Sequence, residues 1–163
     1  MSAPRREGGR HELPDGGRVI WSVAEGRRGR RWRWVLDDDR GLVVVLLETD
    51  PGGAPTRLEV SAAAGLLTLH PEPPGREAHG NVVGPSGVRP LAFAWGPGHR
   101  FDVVDLPWVL GACGDGGAAG ETSRRVLRVD RALRVIEADG ALAGASASPA
   151  GPPEPAGSRW PLE

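Results

Sequence analysis

The chain has no lysine, tyrosine or glutamine, a single asparagine, Asn81, and a single cysteine, Cys113. One cysteine excludes an intrachain disulfide and any zinc site built on paired thiolates. With lysine missing, all 20 basic residues are arginine. Alongside abundant Gly, Ala and Pro, this is the skew that GC-rich coding produces, so arginine richness is weak grounds for inferring phosphate binding. Long apolar runs are also lacking. The longest aliphatic stretch, Leu42 to Leu47, is far short of a membrane span. The opening MSAPRREGGRHELPDGG holds no signal-peptide core, so a cytoplasmic location is expected. Sustained 3.6-residue periodicity is absent as well, which argues against helices.

What is present is turn chemistry and short apolar runs. The 163 residues include 25 glycines and 16 prolines, a share about twice the usual one. They concentrate in a leader (residues 1–17), a loop (Gly111 to Glu121) and a tail (Gly140 to Glu163). All three are expected to be flexible or disordered, leaving one β domain over residues 18–139. Within it, strands are expected at Val19–Val23, Arg31–Leu36, Leu42–Thr49, Arg57–Ser61, Leu66–His70, Asn81–Val83, Val88–Trp95, Arg100–Leu106, Arg125–Asp130 and Leu133–Glu137. Asp37 to Gly41, Asp50 to Pro55 and Gly96 to Gly98 are turns too short for a parallel crossover. The expected fold is therefore all-β: a single curved antiparallel meander, as a half-barrel or β-roll, with disordered ends.

Net charge is −1, which argues against an obligate polyanion binder. The charge is uneven: +5 over Met1 to Leu36, −7 over Asp37 to Glu121 and +1 over the rest. The run Arg27 to Trp34, RRGRRWRW, looks like a nucleic-acid or membrane-surface patch. Strand alternation nevertheless sends Trp32 and Trp34 to one face and Arg31 and Arg33 to the other, whereas base stacking needs rings and cations together.

Alternation in Val88 to Trp95 puts Leu91, Phe93 and Trp95 on one face, opposite Ala92 and Ala94. The bland reading is core filling; the functional one is the lining of a hollow. His70, His79, Asn81 and Arg89 are a candidate cluster for a polar head group, with turn chemistry as the alternative. His99 reads as a turn residue. No two histidines have metal-ligand spacing, and Asp37 to Asp39 reads as a solvated hairpin turn, so neither a metal nor a cofactor is expected. Gly114 to Ala119 imitates a dinucleotide loop without the helix that mechanism needs. Gly84 to Val88 lacks the final glycine of a nucleophile elbow. Cys113 has no helix N-terminus to lower its pKa. No catalytic residue is assigned.

The order LVVVLLETDPGGAPTRLEVS, LLTLHPEP, HGNVV and a further apolar pair resembles the glycolipid-binding family of bacterial proteins, which are spiral or half-barrel antiparallel sheets. That family's threonine–asparagine, proline and paired-arginine segment has no counterpart here beyond Val88 to Leu91. The resemblance implies a curved sheet holding an apolar or glycolipid-like ligand. The expected function is a non-enzymatic binding protein for a lipid or other apolar small molecule. The alternative is a module that docks a protein partner through a sheet face or the Arg-rich edge.

Overall fold

The computed structural model describes residues 5–72, 76–96, 99–103 and 125–139. The expected loop at Gly111 to Glu121 and tail at Gly140 to Glu163 lie outside them. Among the described residues the fold is all-β, and no helix is long and apolar enough to cross a membrane. Eight strands follow one another in a single antiparallel meander: β1 (Arg5–Glu12), β2 (Arg18–Gly26), β3 (Gly29–Asp38), β4 (Gly41–Thr49), β5 (Pro55–Ala62), β6 (Gly65–Pro71), β7 (Arg76–Gly84) and β8 (Gly87–Trp95). The sheet does not close into a barrel.

Two expectations change. The leader, expected to be loose, contributes β1, which pairs with β2 from Arg5↔Glu25 to Glu12↔Arg18. It carries no apolar alternation that a sequence reading could detect. Its place is set by the neighbour: Gly9 sits opposite Trp21, and a Cβ there would lie 2.8 Å from the Trp21 indole nitrogen. Trp21 lies over β1 because Gly9 has no side chain.

The meander also stops at β8. The chain continues into a second, three-stranded sheet of β9 (Arg100–Val103), β10 (Arg125–Val129) and β11 (Val135–Asp139), in the order β11-β10-β9. β10 and β11 form a hairpin, but β9 and β10 run parallel. The segment between Val103 and Arg125 is long enough for the crossover that parallel pairing requires. The edges of the large sheet carry protection against pairing with another chain. β8 holds Pro90, which lacks an N–H, and β1 holds exposed charged pairs such as Arg10–Glu12.

Register places one apolar row beside the next on the inner face. Trp34, Val45, Val60, Leu67 and Val82 form one; Trp32, Leu47, Leu58, Leu69, Gly80 and Leu91 form another. Leu58, Val60, Leu67 and Leu69 are fully buried, as are Phe101, Leu127, Val129 and Leu133 of the second sheet. The second sheet therefore covers this face, and both sheets share one core. Burial of each large aliphatic side chain contributes about 1.5–3 kcal/mol.

Two polar ties hold the β10–β11 hairpin in place. Arg89 Nη2 donates to the Leu133 carbonyl at 3.4 Å. Arg131 donates to Asp38 Oδ2 at 2.5 Å and to the Gly41 carbonyl at 3.2 Å. Of the Asp37 to Asp39 segment, expected to be a solvated turn, only Asp39 lies in the turn: Asp37 and Asp38 end β3, paired with Leu42 and Gly41, and the Asp38 side chain is only 2% exposed. Burial pushes the Asp38 carboxyl up. Hydrogen bonds from the Arg40 guanidinium and backbone N–H, with the charge and hydrogen bond of Arg131, outweigh burial and hold it below its ordinary value. A depressed carboxyl stabilises the fold above its unfolded-state pKa, and this contribution is lost as pH falls below about 4. Asp38→Asn should cost about 2 kcal/mol at pH 7. It should also flatten the loss of stability between pH 4 and pH 3, which urea melts at both pH values would measure. Asp130, depressed by Arg134 despite burial, should retain the remainder of that slope.

Candidate functional site

The inner face carries an aromatic wall at β2 and β3. Trp21 and Trp34 are cross-strand partners, as are Val23 and Trp32. Trp32 and Trp34, two residues apart, stack with centroids 5.7 Å apart and planes within 8°. Trp21 meets Trp32 at 6.4 Å, tilted by 38°. Strand alternation fixes this arrangement, and Arg31 and Arg33 are exposed on the opposite side, as expected. The separation of rings from cations removes the stacking platform a nucleic-acid binder would use.

Exposure varies along the wall. Trp34 and Trp21 are buried, whereas Trp32 and Val23 are half-buried and pack against the core from its margin. At the far side of the sheet Leu91 and Phe93 are likewise half-buried. Among the described residues, the Trp34 Nε1–H is buried without a hydrogen-bond partner, as is the Thr49 hydroxyl on the inner face of β4. An orphaned buried donor costs about 1–3 kcal/mol and calls for an explanation.

The remaining candidates divide. Leu91, Phe93 and Trp95 share the inner face, with Ala92 and Ala94 exposed outside. Trp95 belongs to the core, stacked on Phe101 at 4.5 Å and beside His99 at 5.5 Å. It and its β8 neighbours lie five strands from Trp32 and Trp34 in the sheet order. His70, His79 and Asn81 come together on the outer face: His70 pairs with His79, and Thr68 with Asn81. Arg89 does not join them. It pairs with the inward Val82 and donates to the hairpin carbonyl of Leu133, because residue parity on β8 sends it to the inner face. His99 closes a turn, its backbone N–H donating to the Gly96 carbonyl at 3.1 Å, and its side chain is buried. Its Nδ1 lies 3.0 Å from both the N and O of Gly96, and its Nε2 has no partner among the described residues.

Sequence reading missed Trp21 as part of the wall and the Arg131–Asp38 tie. The pairing of Trp21 with Trp34 had a faint signal, since the two are the same distance from the Glu25 to Arg30 turn once that turn is recognised. The tie spans 93 positions and had none. The outer face also presents an apolar row, Ile20, Val35, Val44, Leu66, Val83 and Val88, broken by Ser61. Ile20, Val83 and Val88 are 50%, 44% and 68% exposed. No family model matches the chain, and no curated protein or solved structure matches it significantly.

Proposed function

We propose that this protein is a non-enzymatic, cytoplasmic holder of a lipid-like or glycolipid-like molecule. The ligand lies on the inner face, with its apolar body against Trp32, Trp34 and Trp21. The observation that carries this reading is the orphaned Trp34 N–H, buried in an aromatic wall whose outer member, Trp32, is half open. Opening of the packing over Trp34 at the Trp32 margin would let a ligand acceptor, such as an ester carbonyl or sugar hydroxyl, satisfy that donor, and each methylene buried on the wall would contribute about 0.8 kcal/mol. Trp suits the task because it combines an apolar body with one donor. A protein partner on the outer apolar row is the weaker reading. That row is interrupted by Ser61, and the rung beside it on β2 and β3 carries the exposed ion pair Arg18–Asp37.

Native mass spectrometry of protein purified from cells tests the proposal. Wild type should carry a co-purified apolar molecule. Trp34→Phe, which keeps a ring and deletes the donor, should retain about tenfold less of it, equivalent to one hydrogen bond of about 1.4 kcal/mol. Ligand-free wild type, or equal loading of both proteins, would refute the proposal.

A further inference from the structure

The outer face holds a block of metal-binding side chains that the ligand reading does not use. His70 on β6 and His79 on β7 are cross-strand partners, with ring centroids 6.2 Å apart. Their separation of nine positions gave no ligand signature in the sequence; the ladder brings them together. It continues through Pro71↔Ala78 to a second pair, where the Glu72 N–H donates to the Glu77 carbonyl at 3.1 Å. Two-residue spacing puts Glu72 on the side of the sheet that carries His70, and Glu77 on the side that carries His79. The contact between Glu72 Oε1 and His79 Nδ1, 3.5 Å, agrees with this placement. Two alternate pairs, successive on one face, therefore present two imidazoles and two carboxylates on that face of a hydrogen-bonded sheet.

We infer that this block is a binding site for a divalent transition-metal ion of the zinc type, with His70 and His79 as nitrogen ligands and Glu72 as an oxygen ligand. Imidazole and carboxylate are the donor set such ions take. Glu77, at the fourth corner, adds negative charge beside the ion. Arg57, next to His70 by extension of the β5–β6 register, is engaged with Glu59. At rest, no three such side chains among the described residues converge on one point. Two imidazoles on a tetrahedral ion, each bonded at about 2.0–2.1 Å, hold their centroids roughly 5 Å apart. Closure by about 1 Å is a rotamer adjustment here, because the His79 and Glu72 side chains are 55% and 40% exposed. Ordering these exposed side chains makes the site one of modest affinity, on the order of micromolar.

Isothermal titration of the untagged full chain with Zn2+ tests this, with the d–d spectrum of Co2+ as a second readout of coordination. One ion should bind, and His70→Ala and His79→Ala should each weaken it at least about tenfold. Glu72→Gln should weaken it less, and His11→Ala not at all. Far-UV circular dichroism of each variant should match wild type, since no core side chain is altered. Failure to bind Zn2+ at about 1 mM, or wild-type affinity in either His70→Ala or His79→Ala, overturns the assignment. The outcome does not depend on the inner-face ligand.

Discussion

Gly80→Ala should lower the melting temperature of this protein by about 6–12 °C, from a loss of at least about 3 kcal/mol. Gly80 sits on β7 in the inner row between Leu69 and Leu91. A Cβ there would lie 1.8 Å from the Thr68 carbonyl oxygen and 2.8 Å from its carbon. Those are backbone atoms of the neighbouring strand, so no rotamer change relieves the clash. β6 and β7 would have to separate, weakening the ladder that also carries His70 and His79. Overpacking ordinarily costs about 1–3 kcal/mol, and a main-chain collision in the middle of a sheet belongs at or above the upper end. Thermal melts followed by circular dichroism would measure it. A Gly80→Ala protein melting within about 2 °C of wild type would mean that β6 and β7 are not packed this closely.

The second large effect is expected at Leu133, in the β10–β11 turn. Its backbone is in the left-handed region, with φ of 58°, which costs a non-glycine residue about 1–2 kcal/mol. Asp130 stabilises the turn: the Leu133 N–H donates to the Asp130 carbonyl at 2.9 Å, and the Arg134 N–H to Asp130 Oδ1 at 2.9 Å. The strain persists because the conformation drives Leu133 into the core, where it is fully buried. Leu133→Ala should therefore cost about 2–5 kcal/mol from lost burial and the residual cavity. Leu133→Gly is the informative comparison. In an ordinary strand glycine is worse than alanine by about 0.5–1 kcal/mol. Here it should equal or exceed alanine in stability, because it relieves the positive φ. Urea melts of both variants would distinguish the cases. A glycine variant clearly less stable than the alanine variant would show that this turn is not strained.

Much of the architecture was legible because alternation is a local property. Leu91, Phe93 and Trp95 turn inward and Ala92 and Ala94 outward for the same reason that Trp32 and Trp34 part from Arg31 and Arg33. The short turns forced successive strands to pair antiparallel through β8. Of the candidate residues, those judged by face were placed correctly one strand at a time. The four grouped as a head-group cluster were not, because grouping requires knowing how strands align. His70 and His79 met as register partners with Asn81 two residues along β7 on the same face, while Arg89 fell on the opposite side by parity.

Residue order alone determined that this chain forms strands, which side of each is apolar, and where the tight turns lie. These depend on period-two geometry and on the preferences of glycine, proline and aspartate. Tertiary structure alone decided that β1 joins the sheet and that β9 pairs parallel to β10. It also decided that the second sheet covers the apolar face, that Asp38 is buried against Arg131, and that the Trp34 N–H has no partner among the described residues. Each of these rests on contacts between residues far apart in the chain. Such contacts are set by the shape of the folded sheet and the space remaining once its rows have packed, and no local pattern encodes them.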